Sequence, residues 1–373
     1  MTGLEAFNNL NELQVSQYSG SSFPIHTMDS LKELTLSYVA VNNPDLSQNL
    51  KLEKIHFSNS TIDSVNIMTN TELKYIYLSN LSCNSINFSQ NLNLEILLIG
   101  NLGLDSLDIS SNYSLRELTC SDSLIELDIS QNPLLTYLNL NNNLLTSLDL
   151  SQNEKIRTLF MENNLVTSLD LSEQDSLEKL GLKINLLNAL DVSNSSKLEL
   201  LDCDSNNIQV LNLQNNHELE WINCASNNLH QLNLQNGNNS NILIDYKFDV
   251  RNNPNLTCIQ VDDIAFSNNA WINKDNQSYF SLNCQYDLGV QNKNSKYQIL
   301  LFPNPSDGTF HVNTQDDKHV LEIEIYNTLG QIVYFEKIKE LNDLTIRTNL
   351  NTGIYLVKLN SNLITQVRTM IVE

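Results

Sequence analysis

The side chains best suited to chemistry in this 373-residue chain are six histidines, six cysteines and a recurring aspartate. His26, His56, His217, His230, His311 and His319 are scattered along the chain. No HExxH metal pair, Gly-rich phosphate loop or GxSxG nucleophile turn accompanies them. His217 and His230 hold non-equivalent positions in neighbouring segments, so metal ligation is not implied. Cys83, Cys120, Cys203, Cys224, Cys258 and Cys284 form no CxxC, which disfavours a zinc ribbon or a thioredoxin-like site. Asp108, Asp128, Asp149, Asp170 and Asp191 recur in the phrase Leu-Asp-x-Ser. Stacked about 5 Å apart, neighbouring carboxylates repel by roughly 1 kcal/mol in water. A calcium ion would relieve that, and so would solvation plus a backbone hydrogen bond in each turn. Calcium loops need denser oxygen ligands per turn, so neither metal nor other cofactor is expected. No acid, base and nucleophile converge, so catalysis is not expected.

The aspartates ride on a longer period. Its first apolar residue falls at Leu10, Leu31, Leu52, Leu73, Leu94, Leu115, Leu135, Ile156, Leu177, Leu198 and Leu219, a step of 21 residues with one of 20 after Leu115. The stretch Leu135 to Gln152 is the clearest copy. Positions four and six alternate as on a strand, as in Leu34 and Leu36, Ile76 and Leu78, or Leu138 and Leu140. One copy cannot bury these leucines, so copies must stack, with parallel strands about 4.8 Å apart. Asn143, Asn164, Asn185, Asn206 and Asn227 at position nine can turn inward to bond buried turn amides. Tyr18, Val39, Ser60, Leu81, Leu102 and Ser123 stand there in earlier copies, which predicts a less regular N-terminal half. A second column, Asn49, Asn70, Asn91, Asn112, Asn132 and Asn153, is also read as structural.

This pattern resembles the bacterial leucine-rich repeat family over roughly Thr2 to Asn255. The expected fold is mainly β: a leucine-rich-repeat solenoid of parallel coils, with few or no helices, over residues 1–240. The Leu-Asp-x-Ser half should be a second extended segment on the opposite side. The period breaks at 241–284, which resembles the C-terminal cap of related repeat proteins, with Trp271 inside it. Cys258 and Cys284 are a candidate disulfide stapling that cap, against the alternative of two free thiols. Cys120, Cys203 and Cys224 occupy inward position six, as buried thiols in place of Leu. The chain opens mid-coil at Leu4 and Phe7, without an N-terminal cap, signal-peptide n-region or h-region. A truncated N-terminus is therefore expected.

Positions three and five should face outward from the concave sheet. Most carry Glu, Thr, Lys or Asn, as a solvated face would. Tyr75, Tyr77, Ile96 and Leu98 depart from this on two adjacent coils, followed by Tyr137, Phe160 and Trp221. His56 and Glu117 would border the cluster. Exposed aromatics on a rigid sheet are usual anchors of recognition, so these seven residues are the candidate ligand site.

Residues 285–296 read as a polar linker, and 297–373 as short strands of a small C-terminal β-sandwich. FPNPSDGTF supplies Pro303, Asn304, Pro305 and Gly308; IEIYNTLGQIVY supplies Tyr326 and Gly330; LNTGIYLVKL supplies Gly353 and Tyr355. These motifs resemble the type A C-terminal sorting domain of the type IX secretion system. The chain ends on Glu373, where members of that family often end on a basic residue. The resemblance implies export across an outer membrane, so the protein should be secreted or held at the outer-membrane surface.

The formal net charge is −22, from 43 acidic and 21 basic residues, with 41% apolar and 17% charged content. Such a chain repels phosphate, so no nucleic acid or anionic membrane partner is expected. No apolar run approaches the roughly 18 residues of a membrane span. The partners expected are a protein or glycan ligand and the type IX secretion machinery, met by a monomer. The function expected is non-enzymatic binding through the concave face. The alternatives are a structural or adhesive surface component without a discrete ligand, or an accessory part of a larger enzyme.

Overall fold

A computed structural model describes residues 9–20, 24–83, 85–242, 247–284, 299–302, 306, 309–314, 321–327, 331–338, 344–361 and 365–372. The chain divides into two compact units, Met1–Cys284 and Gln285–Glu373. Leu4, Phe7 and the linker 285–296 lie outside the described residues.

The first unit is a leucine-rich-repeat solenoid. Each coil donates one strand to a parallel sheet: β1 (Glu12–Ser16), β2 (Glu33–Ser37), β3 (Lys54–Ser60), β4 (Tyr75–Leu81), β5 (Ile96–Gly100), β6 (Glu117–Ser121), β7 (Tyr137–Asn139), β8 (Thr158–Phe160), β9 (Lys179–Gly181) and β10 (Leu200–Asp202). After β11 (Val210–Asn212) on the other side, the same sheet continues through β12 (Trp221–Asn223), and after β13 (Gln231–Asn233) it ends at β14 (Phe248–Asp249). The register is unbroken: Leu34 pairs Ile55, Ile55 pairs Ile76, Ile76 pairs Leu97, and so on to Phe248. The period of 21 sets this register, because a one-residue slip would turn every inward leucine to solvent. From the second coil onward positions one, four and six are buried, with Cys120, Cys203 and Cys224 among them as free thiols. Cys83 is a fourth buried free thiol. Burial raises the Cys120 thiol to about 12, with the Asp122 charge adding to it, so it packs as a neutral side chain.

The Leu-Asp-x-Ser segments are not uniformly strands. A second parallel sheet forms only from β11 and β13 through β15 (Cys258–Gln260) to β16 (Tyr279–Ser281). From Leu107 to Val192 these segments carry no strand pairing. Each Asp of this column instead accepts a hydrogen bond from the backbone N–H two residues on, as from Ser110 to Asp108 at 3.0 Å and from Ser151 to Asp149 at 2.9 Å. The Ser110 hydroxyl and then its backbone N–H hold the Asp108 carboxyl below the usual carboxylate range, and the Ser151 backbone N–H and then its side chain do the same for Asp149. Among the described residues, no group of three or more His, Cys, Asp or Glu is arranged to hold a metal ion.

The two halves of the solenoid close their turns differently. From Asn143 onward, the position-nine Asn faces inward. Asn164 Nδ2 donates to Leu140 O at 2.9 Å in the preceding coil and to Met161 O at 3.1 Å in its own, while Oδ1 accepts Leu145 N–H at 3.0 Å. Asn143, Asn185, Asn206 and Asn227 repeat this. In the N-terminal half Val39, Ser60 and Leu81 stand there, and β1–β6 run five to seven residues where β7–β10 run three. The residue just before this position is in the left-handed region in nearly every coil. Asn59, Asn80, Asn101, Asn142 and Asn163 have φ of 49–60°. Asn tolerates that region because its short polar side chain bonds locally. Here the amides also bond one another, Asn80 Nδ2 to Asn59 Oδ1 and Asn101 Nδ2 to Asn80 Oδ1, both at 3.0 Å.

The end of the stack is covered by an aromatic plug. Trp271 stacks on Phe248 with ring centroids 4.4 Å apart, meets Phe280 edge-on, and donates its indole N–H to Ile242 O at 3.0 Å. A short helix, α1 (Ile264–Ala270), precedes it; Asp263 caps that helix by accepting Phe266 N–H at 3.0 Å. Cys258 and Cys284 are joined as a disulfide with Cα atoms 5.8 Å apart.

The second unit has two small antiparallel sheets. One is β17 (Ile299–Phe302), β18 (Thr309–Thr314) and, after two further strands, β21 (Leu344–Arg347). The other orders β20 (Ile332–Ile338), β19 (Leu321–Tyr326), β22 (Gly353–Ser361) and β23 (Thr365–Val372). Phe310 and Ile346 from the first sheet share a buried core with Ile323, Ile325, Val357, Leu359, Met370 and Val372 from the second.

Candidate functional site

Alternation along each strand puts positions three, five and seven on the outer face of the twelve-stranded sheet as three straight rows. The third-position row runs Lys54, Tyr75, Ile96, Glu117, Tyr137, Thr158, Lys179, Leu200, Trp221. Beside it runs the fifth-position row, His56, Tyr77, Leu98, Thr119, Asn139, Phe160, Gly181, Asp202, Asn223. All seven candidate residues lie in these rows and are partly exposed.

They do not form one patch. Tyr75, Tyr77, Ile96 and Leu98 make a square on β4 and β5, with Tyr75 opposite Ile96 and Tyr77 opposite Leu98. Its border is polar. Lys54 Nζ lies 4.9 Å from the Tyr75 ring centroid, and His56 meets the Tyr77 ring at 4.2 Å with planes 31° apart. Burial and the nearby Lys54 charge push the His56 pKa down, so its imidazole is neutral at physiological pH. Burial pushes the Tyr75 phenol up, with Tyr77 and Glu117 adding to it. Glu117 and Thr119 separate this square from Tyr137 and Phe160, whose rings meet edge-on at 6.3 Å. Trp221 stands three strands beyond Phe160, beside Leu200. Leu200 was absent from the sequence-based set because one leucine between Lys179 and Trp221 carries no period of its own.

The charged groups of the sheet's C-terminal half likewise carry no periodic signal in the sequence. Glu162, Lys183 and Asp204 continue the outer face at position seven. Lys183 Nζ sits 3.1 Å from Asp204 Oδ2, and Arg251 is paired with Asp249. Asp202 is half-buried and accepts Asp204 N–H at 3.1 Å. Burial pushes its carboxyl up to about 6, against that hydrogen bond and the Lys183 charge. A run of Asp and Glu on a strand looks like solvated surface in sequence, so only the burial of Asp202 sets it apart.

Of the sorting motif, Pro303, Asn304, Pro305, Gly308 and Gly330 lie outside the described residues. Tyr326 donates to Glu324 at 2.8 Å, and Glu324 pairs Lys358 at 2.9 Å across β19 and β22. Tyr355 leans back over Gly353 and donates to Asn351 O at 2.9 Å; a Cβ on Gly353 would lie 3.5 Å from that ring.

Residues 300–373 match the family model of the secretion system C-terminal sorting domain. A sorting domain addresses its chain to the cell surface or beyond. No curated protein matches the chain. Among solved structures, the functional domain of InlJ from Listeria monocytogenes, described as including a cysteine ladder, is 18% identical, with 98% of this chain and 91% of that one covered and a TM-score of 0.52. A TDR receptor is 18% identical over 69% of this chain and about half (49%) of its own, with a TM-score of 0.54. Both are similar in fold.

Proposed function

We propose that this is an exported, non-enzymatic recognition protein that binds a protein or glycan through the concave face of its solenoid. In this reading residues 1–240 present the surface, 241–284 close it, and 297–373 carry the export address. The observation that carries it is the square of Tyr75, Tyr77, Ile96 and Leu98. Four apolar side chains stand on adjacent strands of a face whose neighbouring positions are Lys54, His56, Glu117 and Thr119. None of the four serves the interior, which is filled by Ile76, Leu78, Leu97 and Ile99. Apolar anchors ringed by polar groups on a rigid sheet match the anatomy of an interface hot spot. The fold similarity to a receptor structure is consistent with this.

The test is a protein and glycan array probed with the full chain and with a Tyr75→Ser, Tyr77→Ser, Phe160→Ser variant. Loss of the captured ligands by the variant, at unchanged thermal stability, is the expected result. Undiminished capture would favour a structural surface component over a receptor.

A further inference from the structure

We infer that one flank of the solenoid, between the concave sheet and the Leu-Asp-x-Ser side on the seventh to tenth coils, is a contact surface for a second copy of this chain, with a two-fold axis through Leu165. The monomer expected from the sequence is then the dilute form. This goes beyond the recognition reading and does not depend on it.

Positions eight to fourteen carry each coil away from the sheet. On these four coils they are residues 142–148, 163–169, 184–190 and 205–211, and they contain no Asp, Glu, Lys, Arg or His. Charge resumes around them, with Glu162 and Lys183 at position seven, Asp149 and Asp170 at position fifteen, and Glu126 on the coil before. The centre of this neutral stripe is apolar. Leu144, Leu165 and Leu186 at position ten are 47%, 43% and 45% exposed, and Ile184 beside them is 48% exposed. The interior is filled instead by Leu145, Val166 and Leu187 at position eleven, all fully buried. The backbone fixes the spacing of the exposed leucines: Leu165 N–H donates to Leu145 O and Leu186 N–H to Val166 O, both at 2.9 Å.

Two arguments select a second copy as the occupant. The first is symmetry. Three identical residues spaced one coil apart are self-complementary: a two-fold axis through Leu165 sets it against its own counterpart and Leu144 against Leu186 of the second copy. Such an isologous contact closes on itself. The second is charge. Each chain carries a net charge of −22, so two copies repel, and a contact without ionisable groups brings no like charges face to face. The area sets the strength. Four coils about 4.8 Å apart and seven positions of about 3.3 Å give roughly 400 Å² on each copy. About 800 Å² in all falls short of a permanent dimer and suits a weak, reversible one. Positions three and five stay outside the contact, so the dimer carries two concave faces and can hold a repetitive ligand at two points.

The experiment is sedimentation equilibrium on the full chain from about 1 to about 500 μM. Beside the wild type run Leu165→Asp, Leu165→Lys, an equimolar mixture of those two, and Leu92→Asp as control. Leu92 is 53% exposed and lies outside the flank. Circular dichroism checks that each variant is folded, and the wild-type series tests the inference without them. The expected result is a dimer with a dissociation constant of about 10–100 μM for the wild type and for Leu92→Asp. Association should weaken by about tenfold or more in each Leu165 variant and recover about fivefold or more in the mixture, where opposite charges meet across the axis. Raising NaCl from about 50 to about 500 mM should tighten the wild-type dimer, because salt screens the repulsion between the two acidic chains. A monomer over the whole range, association that Leu165→Asp leaves intact, a mixture no tighter than its components, or a wild-type dimer that weakens with salt overturns the inference. None of these outcomes touches the concave-face reading, which stands or falls on ligand capture.

Discussion

Two asparagine columns hold the coils together, and they should not be equally valuable. Consider Asn164→Ala and Asn153→Ala. Both substitutions delete the same atoms from fully or nearly fully buried sites, so the cavity contributions nearly cancel. Asn164 uses both ends of its amide. Its Nδ2 reaches Leu140 O and Met161 O, but those carbonyls keep second donors from Asn143 at 2.9 Å and Asn185 at 2.8 Å. Its Oδ1 takes Leu145 N–H at 3.0 Å, and that amide is stranded on truncation. A stranded buried amide costs about 1–3 kcal/mol, and the shared donor bonds add about 1, for a loss of about 3 kcal/mol. Asn153 uses one end only. Nδ2 donates to Ile129 O at 3.1 Å and Asn132 O at 2.9 Å, which also accept backbone N–H from Asn132 and Leu135. Its Oδ1 is buried with no partner, so removing it relieves a cost. The net loss should be about 1 kcal/mol or less. Both tryptophans, Trp221 and Trp271, lie in Met1–Cys284, so urea unfolding followed by tryptophan fluorescence reads that unit alone. Asn164→Ala should lower the midpoint clearly more than Asn153→Ala at a shared denaturant slope. Equal shifts, or a larger one for Asn153→Ala, would refute the claim that the stranded amide dominates.

Asp202→Asn should alter the pH dependence of stability. The folded carboxyl titrates near 6, above its ordinary 3.8, so the native state holds its proton longer than the unfolded chain does. Wild-type stability is then undiminished below about pH 4 and falls as pH rises toward 6. The full shift would be about 3 kcal/mol, reduced to about 1 by the solvent that still reaches this group. Thermal melts should show Asp202→Asn more stable than wild type at pH 7.5 and equal to it near pH 4; a variant less stable at pH 7.5 contradicts this. Ile184 is a β-branched residue at φ 55°, half-exposed, standing in its column between Asn163 and Ser205. Ile184→Asn should stabilise by about 1 kcal/mol by relieving the left-handed strain, and a drop in the urea midpoint would contradict that account.

The period of 21 made the solenoid legible, because inward leucines at positions one, four and six leave only one register in which the core closes. The seven C-terminal strands were legible for a similar reason: alternation in LEIEIY and GIYLVKL is unambiguous. Other features needed coordinates. The Leu-Asp-x-Ser segments alternate like strands, yet they pair only from Val210 onward, since pairing depends on the spacing between coils rather than on the local pattern. The left-handed turn is visible at Asn59, Asn80 and Asn101 but hidden at Tyr38 and Ile184, where stacking forces the same φ on unsuited residues. The packing of Phe160 and Glu162 over Gly181 and the half-burial of Asp202 are properties of three adjacent coils together, and no single window of sequence contains them.

The division of labour around each coil would let the proposed recognition surface change without cost to folding. Leucines at positions one, four and six and the asparagines of the turns make the contacts that join neighbouring coils. Side chains at positions three, five and seven meet mainly one another and solvent, with local backbone bonds such as Asn141 accepting Glu162 N–H and Asp202 accepting Asp204 N–H. In a stack whose stability is a sum over coils and their interfaces, substitutions on the outer rows leave those interfaces intact. Tyr75, Tyr77 and Phe160 are therefore free to serve a ligand, whereas Asn164 is not. Affinity and stability should separate cleanly by column: loss of binding from the outer rows, loss of folding from the asparagines, and little overlap between the two sets.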